Sequence, residues 1–304
     1  MPAPGPSCPI GDGPAGDHLG GCARLLVVKG TRRSRTAQAV AAERALLTDL
    51  GVLADPFARS MLTPSMVAVV NVTQHLPGPM LARSLTLAGL AARVLWFDAQ
   101  VTGALDANVR QIAVIGAGYD SRAWRLRREG VQFFELDHGP TQQEKARRAP
   151  GPGPIYVAAD LTTQNAGEAL VAQGLDPSQP ALFVIEGVTM YLDEKIVRSQ
   201  LAALGGTTPA GGRLAVDFSP PRDAGTSVHH RQNRLQRLAR LGSGEQFRMT
   251  VDRAGAAELV TGSGWDPVEV TSLRRAATSL LPRGSGLPLD AVNEHKTLVA
   301  GLRR

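Results

Sequence analysis

The spacing of apolar and polar positions changes near residue 110. Upstream, apolar residues recur at helical intervals. In 31–53 they fall at Ala37, Val40, Ala41 and Leu47, which predicts a helix that stops near Gly51. Asp55-Pro56-Phe57 then turns the chain. Residues 61–76 and 81–105 are apolar enough for further helices, the second stretch being one helix or a pair. Downstream, short apolar runs at 110–115, 131–136, 155–159, 181–185 and 213–218 alternate with polar and glycine-rich stretches. Helices are expected at 193–204, with Asp193 as N-cap, and at 252–261; late strands are expected at 268–273 and 296–301. This alternation predicts an α/β fold: a mostly parallel sheet covered on both faces, with the late strands adding an antiparallel edge. One domain is expected over 24–304, with a helical cap at 24–109, a core at 110–304 and an insertion near 220–250. Residues 1–23, rich in Pro and Gly, are expected to form a disordered leader.

The run at 110–115 stops abruptly in Gly116-Ala117-Gly118, followed by Tyr119-Asp120-Ser121. A buried strand entering a glycine turn and then a helix, here carrying Ala123, Trp124 and Leu126, opens a nucleotide-binding α/β unit. A glycine lets a ligand come close to the backbone where a Cβ would block it. Ser121 occupies the place of the third glycine in a dinucleotide fingerprint, so a pyrophosphate is not the natural ligand. A ligand without one, such as S-adenosylmethionine, suits the turn better. Alone, the turn is equally an ordinary strand-to-helix connection.

Three further strands end in an acid: Asp137 after the second, Asp160 after the third and Glu186 after the fourth. Ligands of open parallel sheets bind beyond the carboxyl ends of the strands, so these acids share one rim with the glycines. Asp137 lies 19 residues after Gly118, near the spacing at which a carboxylate takes both ribose hydroxyls. Asp160 is a candidate for an adenine amino group and Glu186 for an ammonium group. Each acid alone is a helix cap or a solvated residue; together beside a glycine turn they point to a ligand site. A metal is the competing use of three acids, but the histidines show no ligand spacing such as HxxxH, so no metal is expected.

Composition narrows the rest. The net charge is +6, with arginines concentrated at 122–128 and 231–240. The second cluster alternates with leucines at helical spacing and reads as an amphipathic helix with a solvated basic face. No nucleic-acid motif accompanies the charge, so no specific nucleic-acid partner is expected. No apolar run reaches the length of a membrane span, and the N-terminus lacks the basic start and apolar core of a secretory signal; a cytoplasmic location is expected. Both cysteines, Cys8 and Cys22, lie in the leader and read as free thiols in a reducing compartment.

VIGAGYDSRAWRL, FELDHGP, AADL and IEGVTMYL, in that order, resemble the leucine carboxyl methyltransferase family. The likeness is strongest to a bacterial branch of S-adenosylmethionine-dependent methyltransferases found in mycobacteria and streptomycetes, which includes polyketide O-methyltransferases. SRTAQAVAAERA, DPFA and AARVLWFD fit the same pattern, so the resemblance runs from about residue 31 to 220. It implies a Rossmann-like class I methyltransferase sheet with a helical N-terminal extension as a lid, and S-adenosylmethionine as cofactor. It also implies roles for single residues. Arg93 would pair with the cofactor carboxylate and Gly116 would lie under its methionine part. Asp137 would bind the ribose, Asp160 and Leu161 would flank the adenine, and Glu186 would lie near the methionine end. The family's first-helix lysine has its nearest counterpart in Arg35.

The expected activity is therefore O-methylation of a carboxylate or hydroxyl on a small molecule. A carboxylate acceptor is already ionised at neutral pH, whereas a phenol gains from a base. No committed base is evident; His138 and His229 are the weak candidates, and Tyr191 and the arginines near Arg231 are candidates to orient an anionic acceptor. An NAD(P)-dependent oxidoreductase and a protein carboxyl methyltransferase are the alternatives.

Overall fold

The computed structural model describes residues 35–75, 85–221 and 247–304. The expected leader with Cys8 and Cys22, the basic helix at 231–240, His229 and nearly all of the expected insertion lie outside the described residues.

Among these residues three helices come first: α1 (Arg35–Asp49), α2 (Pro64–Thr73) and α3 (Leu85–Asp106). Thr63 caps α2 by accepting from Met66 N, and Pro64 fits the first turn, where no N–H is needed. The core then alternates β1 (Gln111–Ile115), the single turn α4 (Arg122–Arg125), β2 (Gln132–Asp137), α5 (Gly139–Ala146) and β3 (Ile155–Ala158). It continues with α6 (Ala166–Ala172), β4 (Ala181–Ile185), α7 (Glu194–Gly205) and β5 (Arg213–Phe218). It closes with α8 (Arg253–Gly262), β6 (Asp266–Ser272), α9 (Leu273–Leu280) and β7 (Thr297–Leu302).

The seven strands are ordered β3-β2-β1-β4-β5-β7-β6. β1 to β5 pair in parallel, and β7 enters antiparallel between β5 and β6. The expected sheet is thus present, its antiparallel part being β7. β1 and β4 are buried at every residue, as central strands covered on both faces must be. On one face Ile112, Val114, Leu182 and Val184 meet α3 and α9, through Ala91, Phe97 and Ala276. On the other, Ala113, Ile115 and Phe183 meet α6, α7 and α8, through Leu170, Leu201 and Leu259. A third cluster joins α1 and α2, through Ala41, Ala45 and Val70, to Tyr119 of the glycine turn.

α4 is shorter than expected. The sequence suggests a helix reaching Leu126, but Leu126 is already the C-cap of a four-residue turn. The cause is chemical: Arg122 and Arg125 turn inward to ion pairs instead of flanking an apolar stripe. α5, α6 and α9 add to the expected set. α5 shows no apolar face because its inner side is polar, with Gln142, Glu144 and Lys145 buried.

Lys145 is fully buried against Glu135 of β2. Burial pushes the Glu135 carboxyl up to about 7, against the pull of the Lys145 ammonium. A raised carboxyl means that the folded chain holds a proton that the unfolded chain has released. Its contribution to stability is full below the unfolded pKa and is lost as pH rises through about 7. Urea unfolding at pH 5 and pH 8 is expected to show Glu135→Gln gaining roughly 2 kcal/mol on the wild type between the two. A gap independent of pH would contradict this ionisation.

Candidate functional site

Strand order sets the place. β1 is followed on one side by β2 and on the other by β4, so the chain reverses its direction of winding between β1 and β4. A crevice opens at the carboxyl ends of two such strands. Gly116 follows β1 and Glu186 follows β4.

The glycine turn is tied to β2 from both ends. Gly116 N and Ala117 N donate to Leu136 O, at 2.7 and 3.1 Å, and Gly118 N donates to Asp137 Oδ2 at 2.6 Å. Gly116 has φ +67, and a Cβ on it would lie 2.4 Å from Val188 Cγ2. Gly118 has φ +50, and a Cβ there would approach Ala37 of α1 to 3.1 Å. Both positions therefore need glycine, for backbone conformation and for space.

Asp137 also receives His138 N on Oδ1 at 2.6 Å, so each oxygen holds one backbone N–H and keeps lone pairs for a ligand. Burial pushes this carboxyl up, and the two N–H groups pull it back only in part. β3 joins the same rim through Ala159 N, which donates to Asp137 O at 3.0 Å. Asp160 is half-buried just beyond, accepting Thr162 N at 2.9 Å and Thr162 Oγ1 at 2.6 Å. Its burial would raise the carboxyl, but these two donors hold it below the usual range. Leu161 is half-buried against the second core cluster, and its carbonyl accepts Gln200 Nε2 at 2.8 Å.

At the other end of the rim, Arg93 of α3 donates from Nε to Glu186 Oε1 at 2.9 Å. Its guanidinium lies over Gly187, where a Cβ would come within 3.5 Å of Nη1. Among the described residues the two terminal nitrogens of Arg93 have no hydrogen-bond partner. Glu186 Oε2 is held at 2.8 Å by Nη2 of Arg122. The expected residues thus form one line: Asp160 and Leu161, Asp137, the glycine turn, then Glu186 and Arg93.

Sequence reasoning missed the charges behind this line. Arg122, with its side chain 2% exposed, pairs with Asp98 Oδ1 at 2.6 Å and Asp120 Oδ2 at 2.5 Å as well as with Glu186. Arg125 grips the other oxygen of Asp98 at 2.7 Å. Arg44 of α1 binds Asp55 at 2.6 Å, Tyr119 O at 3.0 Å and Ser121 Oγ at 3.0 Å. Asp217, fully buried in β5, accepts Gly187 N at 2.6 Å and pairs with Lys296 at 2.6 Å. An acid inside the apolar run RLAVDF is a signal that sequence reading can use; the burial of Arg122 leaves none.

Of the remaining candidates, His138 is exposed on the rim beside Asp137, and Tyr191 packs edge-on against Phe247 at 5.6 Å between ring centroids. The side chain of Arg35 lies outside the described residues. A cleft of about 520 Å³, lined by Pro220, Asp252, Arg253, Glu294 and His295, lies beyond the carboxyl end of β5. Among the described residues no group of three His, Cys, Asp or Glu side chains is placed to hold a metal ion, and no helix is long and apolar enough to cross a membrane.

The strand order and this rim define the class I methyltransferase fold. The sequence profile of the family described as leucine carboxyl methyltransferase matches residues 36–205, and the chain belongs to that family. A Mycobacterium avium protein named "Putative S-adenosyl-L-methionine-dependent methyltransferase" is 28% identical over 272 residues, spanning 81% of this chain and 86% of its own length. A Mycolicibacterium smegmatis protein of the same name is 31% identical over 206 residues, or 60% of this chain and 62% of its own. Two crystal structures share the fold. One, titled a putative methyltransferase from Thermobifida fusca, has a TM-score of 0.55 at 17% identity, over 90% of this chain and 96% of that one. The other, a duf574 family protein from Streptomyces avermitilis, has a TM-score of 0.57 at 14% identity, over 90% of this chain and 98% of that one.

Gly116→Ala forces a side chain into the left-handed region and against Val188. Chemical denaturation is expected to show a loss of roughly 1–3 kcal/mol, of which Val188→Ala in the same chain recovers only the steric part. Full recovery in the double variant would mean that the backbone conformation is not the constraint.

Proposed function

We propose that the chain is an S-adenosylmethionine-dependent O-methyltransferase whose acceptor is a carboxylate or hydroxyl of a small molecule. The observation that carries this reading is the order of groups along the rim. A carboxylate with free lone pairs (Asp137) stands one glycine turn away from an arginine–glutamate pair (Arg93 and Glu186), with no third glycine for a pyrophosphate between them. A nucleoside joined to an amino acid needs those groups in that order. The residues fit the cofactor: Asp137 for the ribose hydroxyls, Asp160 and Leu161 beside the adenine, and Gly116 beneath the chain to sulfur. The terminal nitrogens of Arg93 suit its carboxylate, and Glu186 suits its ammonium.

When bound, this cofactor supplies a methyl group already made electrophilic by the sulfonium. The protein's own contribution is to hold the acceptor oxygen in line and to keep water out. Val188 closes on Gly116 and Ala37 on Gly118, leaving no room for a side chain in the turn. For an ionised carboxylate acceptor no proton has to move. The family match sets aside the oxidoreductase alternative and supports methyl transfer. The reading places the reaction in the cytoplasm, where a charged cofactor that does not cross a bilayer unaided is at hand.

Calorimetric titration with S-adenosylmethionine, S-adenosylhomocysteine and NAD is the test. Micromolar binding of the first two and none of NAD is expected, weakened at least about tenfold in Asp137→Ala by loss of charge-assisted hydrogen bonds. Binding of NAD alone, or equal binding by the variant, would refute the reading.

A further inference from the structure

Glu186 is the rim group on which two arginines converge, and only one of them faces the crevice. Arg93 uses Nε on Oε1 and keeps its terminal nitrogens for a ligand. Arg122 takes Oε2 at 2.8 Å from behind and is itself fixed on every side. Its Nε is on Asp98, its Nη1 on Asp120, and its guanidinium lies over the Phe97 ring, 5.7 Å from the centroid. Its backbone N–H also donates to Asp120 Oδ1, at 2.6 Å. Arg122 therefore has no freedom to follow a ligand. It has one geometry, and that geometry sets where the Glu186 carboxylate points.

The charges decide what Glu186 then does. Three guanidiniums, Arg93, Arg122 and Arg125, face the three carboxylates Asp98, Asp120 and Glu186. Glu186 is thus held by one guanidinium on each oxygen, and the remaining lone pair of each oxygen is left for a ligand's ammonium. Arg93, held by the same carboxylate, is presented beside it as an anion site. One carboxylate fixed from behind thus creates adjoining cation and anion positions, the requirement for an amino-acid zwitterion.

We propose that Arg122 is a positioning residue for the amino-acid end of the cofactor, acting through Glu186 and, through it, on Arg93. This rests on the cofactor reading above and adds a residue that touches no ligand. It separates two parts of one molecule: the adenosine end is read by Asp137 and Asp160 without Arg122, whereas the zwitterion depends on it.

Paired ligands test this. S-adenosylhomocysteine carries both ends, and methylthioadenosine lacks the amino-acid end. The wild type is expected to bind S-adenosylhomocysteine at least about tenfold more tightly. Arg122→Lys, which keeps the charge but loses the fork, is expected to remove most of that preference while leaving methylthioadenosine affinity within about twofold. An unchanged ratio would overturn the proposal, whether both affinities fall equally, which makes Arg122 merely structural, or neither falls. If Arg122→Lys does not fold, the wild type labelled with ¹⁵N-arginine gives the answer. The side-chain N–H signals of both Arg93 and Arg122 are expected to shift with S-adenosylhomocysteine and not with methylthioadenosine; a shift of Arg93 alone would overturn it. Wild type that binds neither ligand would bring down the cofactor reading itself.

Discussion

A guanidinium removed from water is stable only where carboxylates meet it, and Arg122 meets three. Those three belong to different parts of the chain. Asp98 comes from the long helix α3, Asp120 from the turn after β1, and Glu186 from the end of β4. The arginine thus ties the helical layer to both strands that flank the crevice. The line continues outward: Asp98 is shared with Arg125, which lies 3.7 Å from Asp55, and Asp55 is bound to Arg44 of α1. A connected row of ion pairs runs beneath the rim from the first helix to the fourth strand. Breaking one member leaves an uncompensated buried charge, and mutual dependence of this kind holds a crevice in one shape.

Much of this fold is legible in the sequence because buried strands of a parallel sheet are short apolar runs with sharp ends. Isoleucine and valine before Gly116, and phenylalanines before Asp137, mark β1 and β2 to within a residue. α8 starts where expected, with Asp252 accepting from Gly255 N, and Gly206 ends α7, whereas Asp193, the expected cap of α7, stands at the N-cap position without a side-chain capping bond. What escapes is built from polar contacts. α5 has its buried face made of Gln142, Glu144 and Lys145, so it has no apolar period to read. α9 follows β6 without a loop, started by Ser272 accepting from Arg275 N, in a stretch that reads as an irregular connection.

The site divides in the same way. Asp137, Asp160 and Glu186 stand out because each ends an apolar run, and the turn because it is Gly-x-Gly. Arg122 and Arg125 count in the composition as part of a basic cluster, and composition places such clusters in water. Their partners are 24 and 27 residues upstream at Asp98, a separation that no periodicity encodes. Lys296, near the end of the chain, pairs with Asp217 through the antiparallel register of β7 on β5. Long-range charge pairing is a property of topology, and becomes visible only when the sheet is assembled.

The central claim is that the rim from Asp160 to Arg93 is the seat of a nucleoside joined to an amino acid. A crystal structure with S-adenosylhomocysteine tests it most directly. The account predicts ribose hydroxyls on Asp137, the carboxylate on the terminal nitrogens of Arg93 and the ammonium on Glu186, with Arg122 unmoved. Density for the ligand in the cleft beside Pro220 and His295, or a ligand lying across the rim in the reverse direction, would contradict it.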